Sequence, residues 1–374
     1  MDLSLTDEQR ELYAAAARFV RAERPTDRSG PAAGPGSAAW ATMAELGWLS
    51  LCVSEADGGA GASLMDAGIL AEALGTGPLP GPFLESAVVA PHVLDVLERT
   101  PARADLLGDM MNGTAVLTVC VADALDLPPT ARGQVPVLVD GRLHGRVAPV
   151  TAADHASHHV VVADSGGGAA SVVVVPADAA GVRRRDVRGF GPGLSALEFD
   201  DVRPVPGLLA ELGPDQVPVL RDALIRALPV VCAFQVGSAQ TVLDMAVRYS
   251  NERVQFGRPI GSFQRVQDHV IDLLNGLDSA RWSTYYALAE GSAVPTAAYV
   301  AKAVTSEAHF RVCDSAHEVH AGAGCDVDYG LAPHTYLSRR AYGWLGEPGW
   351  HRRALIRALQ LGKGTSLAPD DDGR

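Results

Sequence analysis

The stretch best suited to chemistry is RVQFGRPIGSFQ at residues 253–264, directly behind a long apolar helical pattern. Arg253 and Gln255 offer a guanidinium fork and an amide, donors that match phosphate oxygens, and Phe256 can lie against a flat ring. The same residues fit a helix stop equally well, with Arg253 and Phe256 at the cap, Gly257 left-handed and Pro259 preventing continuation. His309, Cys313, His317 and His320 have the spacing of one helix face. Such a face suits either a metal or packed, hydrogen-bonded histidines; the second reading is preferred and no metal site is expected. Gly58, Gly59 and Gly61 read as tight-turn glycines, because no strand precedes them as a dinucleotide fingerprint requires. RRRDVR at 183–188 reads as a solvated loop, with a site for the phosphates of a CoA or carrier-protein arm as the alternative.

Three segments of different character must position these groups. Residues 1–112 show helical periods, beginning with a capping box at Thr6 and Gln9 and ending repeats at glycines. Residues 113–206 hold short Val-rich runs separated by turn signals such as Asp140-Gly141 and Ser165 to Gly168. Residues 207–374 return to helices, expected at 220–249, 263–277, 278–290, 296–320 and 333–360, with Pro229 starting or kinking the first and a short disordered tail. HASHH at 155–159 reads as a loop entering a strand.

The whole chain narrows the classes further. With 374 residues, 47% of them hydrophobic, a substantial core can form. A formal net charge of −13, spread along the chain, disfavours nucleic acid as a partner. Five cysteines without a CxxC pair argue against a disulfide framework and a zinc ribbon, so a reducing, cytoplasmic setting is expected. The N-terminus lacks a cationic region followed by an apolar core, and no apolar run approaches the roughly 20 residues that span a bilayer; no membrane is expected.

RYSNERVQFGRPIGSFQRVQ resembles the signature of acyl-CoA dehydrogenases, which are flavoenzymes. The resemblance extends to LSLTDEQREL, VSEADGGAGASLMDAGILAEALG, DGRLHGRVAPVTAADHASHHVVVA and HEVHAGAG, and so over nearly the whole chain. It implies an α+β, mostly α fold: an N-terminal helical domain, a middle β domain and a C-terminal four-helix bundle, the order also read from periodicity. It implies FAD as cofactor and an acyl-CoA or acyl-carrier-protein thioester as substrate, with an electron-transfer partner. Arg253 would contact the pyrophosphate of a neighbouring subunit's FAD, with Gln255 near it and Phe256 packed on the cofactor. Gly322 would approach the adenosine half, Glu318 stands where a glutamine normally donates to the pyrophosphate, and Thr151 would touch the flavin. Oligomerisation, with itself or a homologous subunit, then belongs to the cofactor site.

The sequence departs from that family at the base. Removing an acidic α-proton needs a carboxylate, usually a glutamate late in the bundle. Matching YLSRRAYGWLGEPGW puts Pro348 at that position and Glu347 one residue earlier, while the alternative position on the long helix holds Ala227. Glu347 is the remaining candidate, if a one-residue shift buries it and desolvation raises its pKa; the preferred reading is that Pro348 ends a helix and leaves Glu347 on a solvated loop. The flavin-ring segment is also altered, reading VCVADALDLPPT. The leading expectation is FAD-dependent α,β-dehydrogenation by a base-lacking subunit of a hetero-oligomer. The alternatives are a flavin-dependent oxidase or monooxygenase, a redox-silent tailoring enzyme, and a non-catalytic partner subunit. Trp344 and Trp350 read as core or interface residues that could line an acyl pocket.

Overall fold

The computed structural model describes residues 4–23, 34–77, 81–121, 135–189, 193–326 and 329–362. The chain opens with helices α1 (Asp7–Ala22), α2 (Ala38–Glu45), α3 (Leu64–Gly75), α4 (Ala90–Leu94) and α5 (Pro101–Met111). Thr6 caps α1 as its sequence demands, accepting from the Gln9 amide while the Gln9 side chain accepts from the Thr6 N–H. The glycines at 58, 59 and 61 do make a turn: a Cβ on Gly59 would stand 2.3 Å from the Val53 carbonyl oxygen.

Eight strands follow: β1 (Leu117–Cys120), β2 (Val137–Val139), β3 (Arg142–Thr151), β4 (His158–Gly166), β5 (Ala169–Pro176), β6 (Val182–Asp186), β7 (Leu194–Val202) and β8 (Leu209–Leu212). They form one sheet in the order β6-β7-β3-β2-β4-β5-β8, with β1 parallel beside β4. Asp140 and Gly141, both at positive φ, make the two-residue turn between β2 and β3. Alternate side chains decide the faces. Val160, Val162, Val172 and Val174 join the core shared with the helices, whereas Val161, Val173 and Val175 join Leu143, Val147 and Leu197 in the sheet's own core. Both faces are therefore covered, which explains unbroken Val runs where a half-exposed strand would alternate. The sheet also continues past residue 206, since β8 pairs with β5.

The bundle consists of α6 (Val217–Glu252), α7 (Gln264–Glu290), α8 (Pro295–His320), α9 (Ala332–Gly343) and α10 (Pro348–Gly362), with a short hairpin β9 (Val254–Gln255) and β10 (Arg258–Pro259) after α6. Three expectations need correction. Of the two roles expected for Pro229, starting the helix belongs instead to Pro218, while Pro229 lies inside α6, the position of the other expected role; a proline in the first turn loses no helical hydrogen bond. Residues 264–290 form one unbroken helix. The expected 333–360 helix is divided by a turn at Trp344–Glu347, where Leu345 and Gly346 both take positive φ.

Helices α3 and α6 cross at backbone contact. A Cβ on Gly75 would meet the Phe234 carbonyl oxygen at 2.0 Å, and one on Gly237 the Glu72 carbonyl oxygen at 1.8 Å. Beside the crossing, buried Glu72 accepts from the Tyr285 hydroxyl at 2.8 Å and faces Arg281 at 3.5 Å. Among the described residues no helix is long and apolar enough to cross a membrane.

Candidate active site

A cavity of about 740 Å³ opens where the sheet meets the bundle. One wall is the end of β3, from Ala148 to Thr151; the other is the end of α9, the Trp344–Glu347 turn and the start of α10. Thr151 is 4% exposed, its backbone oxygen accepts from Thr118 Oγ1 at 2.6 Å, and its own hydroxyl has no hydrogen-bond partner among the described residues. An unsatisfied buried hydroxyl on a cavity wall suits a ligand heteroatom, as a flavin ring would supply. VCVADALDLPPT reaches the cavity at Val121, and its remainder from residue 122 lies outside the described residues.

Glu347 reaches the cavity rim but is not desolvated. Its side chain is 60% exposed and lies 3.8 Å from the Arg353 guanidinium. The reason is local: Pro348 begins α10, leaving Glu347 at that helix's N-terminal edge, where its carbonyl accepts from the His351 N–H at 3.2 Å. The burial expected of a catalytic carboxylate is therefore absent.

Two buried bases brace this region from beneath, one at the end of α9 and one at the turn itself. Lys302, fully buried, donates from Nζ to the Ala341 carbonyl at 2.7 Å and to Ser306 Oγ at 2.8 Å, with no carboxylate in ion-pair range among the described residues. Burial pushes its ammonium down to about 8. His351 bonds the Leu345 carbonyl through Nε2 at 2.9 Å, and a Cβ on Gly346 would collide with its ring at 2.5 Å. Burial, aided by Lys302, pushes His351 down to about 3, so the ring is neutral and its Nε2 is the donor. Neither residue stood out in the sequence; nothing in a periodic pattern tells which polar group on a buried stripe supports a turn. Trp344, Trp350, Arg188, Arg339 and Arg340 complete the walls.

The motif residues lie elsewhere. Arg253 ends α6, and Gln255 and Phe256 sit on the β9–β10 hairpin, all exposed, with Phe256 92% exposed at a positive φ of 53°. Glu318 and Gly322 are exposed at the far end of α8, adjoining that hairpin through the Tyr249–His320 stack at 4.7 Å. From Lys302 to Glu318 is about 24 Å of helical rise. One chain thus presents two separate groups, Thr151 on the cavity wall with Glu347 at its rim, and Arg253, Gln255, Phe256, Glu318 and Gly322 on an outward end.

Each of the helical histidines makes a ring hydrogen bond, while His309 Nδ1 has no partner among the described residues. His309 bonds Ser238, His317 bonds Thr335, and His320 Nδ1 bonds the Ala316 carbonyl. RRRDVR is not the loop expected: Val182–Asp186 is strand β6, where Arg183, Arg184 and Arg185 pair with Glu198, Asp200 and Asp186 across the sheet surface, and Arg188 alone of its arginines reaches the cavity.

Comparison with known proteins agrees with this architecture. Residues 6–99 match the acyl-CoA dehydrogenase N-terminal domain and residues 219–360 the C-terminal domain. Acyl-CoA dehydrogenase IpdE2 of Mycolicibacterium smegmatis is 27% identical over 317 residues, covering 84% of this chain and 86% of its own. A variant of the Tcur3481-Tcur3483 steroid ACAD superposes with a TM-score of 0.80 at 27% identity, over 96% of this chain and 99% of that one. The ChsE4-ChsE5 complex from Mycobacterium tuberculosis shares the fold, with a TM-score of 0.82 at 24% identity, over 98% of this chain and 100% of that one. With both family domains matched around a central sheet, and the cavity lying where sheet meets bundle, the chain belongs to the acyl-CoA dehydrogenase family.

Proposed function

We propose that this chain is an FAD-binding subunit for the α,β-dehydrogenation of an acyl thioester, and that a homologous partner chain supplies the general base. The observation that carries this reading is the cavity itself. It joins the unsatisfied Thr151 hydroxyl to the α9–α10 turn, yet its one carboxylate among the described residues, Glu347, is exposed beside Arg353. Loss of a general base typically removes 10²- to 10⁴-fold in rate, so a chain built this way needs help from outside.

FAD, when bound, supplies the hydride acceptor. Thr151 would hold the flavin ring through its hydroxyl, and the aromatic walls at Trp344 and Trp350 would exclude water around the acyl chain. Arg253, Gln255 and Phe256, exposed at the opposite end of α8, would reach a second chain's cofactor, with Gly322 allowing close backbone approach. Glu318 brings only acceptors and contributes no donor to a pyrophosphate. The Tcur3481-Tcur3483 pair and the ChsE4-ChsE5 complex, each naming two chains, support a hetero-oligomer. The reducing equivalents would pass to an electron-transfer protein.

The test is a visible spectrum followed by anaerobic addition of acyl-CoA thioesters. The chain co-purified with its homologous subunit is expected to be yellow and to bleach, and the chain alone is expected not to bleach. A colourless co-purified complex overturns the reading. Bleaching by the chain alone that is abolished in Glu347→Gln would return the base to Glu347.

A further inference from the structure

Among the described residues the cavity walls carry four guanidinium groups, Arg188, Arg339, Arg340 and Arg353, against the single carboxylate of Glu347. Two are already engaged. Arg339 pairs with Asp314 and lies 3.4 Å from the centre of the Phe310 ring, and Arg353 faces Glu347. The side chains of Arg188 and Arg340 have no ion pair or hydrogen bond among the described residues. This is against the grain of the molecule, which has 44 acidic residues for 31 basic ones and neutralises Arg183, Arg184 and Arg185 a few residues upstream. Like charges left facing one partly enclosed space repel, and an anion entering that space relieves the repulsion.

The position of the pair limits which anion this is. Arg188 follows β6 and Arg340 lies in the last turn of α9, so both border the space between Thr151 and the α9–α10 turn. If the substrate is a thioester, its reacting carbons lie in that space, and the phosphates of CoA lie a pantetheine arm away. The negative group at the arginines then belongs to the acyl part. We infer that the substrate is a thioester whose acyl chain carries a carboxylate of its own, held by Arg188 and Arg340 while Trp344 and Trp350 cover the intervening methylenes. Guanidinium–carboxylate contacts are charge-assisted and geometrically selective, so they discriminate against a neutral chain of the same length.

This inference rests on the thioester reading, and the experiment separates the two. Calorimetry on the flavin-loaded, co-purified complex would compare two thioethers that cannot react, S-(4-carboxybutyl)-CoA and S-hexyl-CoA. The carboxylated thioether is expected to bind about tenfold more tightly or better, from at least one charge-assisted contact. Arg188→Met and Arg340→Met should each reduce that preference severalfold and together remove it, with S-hexyl-CoA affinity and the flavin spectrum unchanged. Arg340→Lys, which keeps the charge, should retain part of it. Equal binding of the two thioethers overturns the inference and leaves the thioester reading standing. The inference falls in the same way if the arginine variants weaken both thioethers alike, because the arginines then serve CoA or the flavin. Binding of neither thioether overturns both.

Discussion

Lys302 is the least expected residue of the site. Its folded-state pKa, about 8, lies below the ordinary 10.5, so the native state gives up its proton earlier than the unfolded chain. The unfolded state therefore binds more protons between those values, and this group's cost to stability, on the order of 3 kcal/mol below pH 8, is relieved as pH rises toward 10.5. Lys302→Met removes the titration, so the melting-temperature gap between wild type and variant should move in favour of wild type from pH 7.5 to pH 10; a constant gap refutes the assignment. At the cavity, Thr151→Val keeps shape and removes the unsatisfied hydroxyl, and it should weaken flavin retention by roughly tenfold with little change in stability, read by dialysis and absorbance. Thr151 and Arg253 could be singled out in the sequence because each aligns with a motif position. Lys302 and Arg340 did not stand out, since a sequence displays charge type but not which charged groups have no counter-ion among the described residues.

Two short backbone devices carry most of the site's shape. The α9–α10 turn needs Gly346 twice over, for its positive φ of 101° and for the His351 ring that leaves no room for a methyl group. Gly346→Ala should lower stability by about 1–3 kcal/mol and close or deform the cavity, seen as a lower melting temperature together with loss of thioester binding. The β9–β10 hairpin places Phe256 at a positive φ although Gly257 follows it. An aromatic residue held there at 92% exposure stores strain, against which the chain sets an edge contact with the Phe263 ring at 6.1 Å. Phe256→Gly should leave the melting temperature of the isolated chain unchanged or slightly raised, while flavin content of the assembled protein falls. The long α6 and the Val-rich strands announced themselves through their periods. The break at 344–347 was marked in the sequence by Gly346 and Pro348, but apolar spacing continues through it, and the turn's shape depends on the His351 ring packed against Gly346.

Across the whole molecule, several imidazoles are buried neutral: His92 and His159 are pushed down to about 4, and His309 and His351 to about 3, with burial the main cause in each. All four are depressed, so the stability they contribute is present above about pH 6.5 and is lost as pH falls toward the folded values. Their combined slope is up to roughly 5 kcal/mol per pH unit, which places acid unfolding between about pH 6 and pH 4. Circular dichroism against pH checks this, and the double variant His309→Gln, His351→Gln should unfold with a shallower slope. The α, β, α order was readable from the sequence because each segment keeps one period for many residues. The cavity was not, since its walls come from segments near residues 150, 188 and 345 that only the fold brings together. The glycine crossing of α3 and α6 adds a constraint on how such a chain can be recombined. With carbonyl oxygens of each helix seated against the Cα of a glycine in the other, the first and last segments are not interchangeable parts. A chimera that imports α3 from a homologue with alanine at position 75 would fail to seat, whereas one that exchanges α3 and α6 as a matched pair would fold.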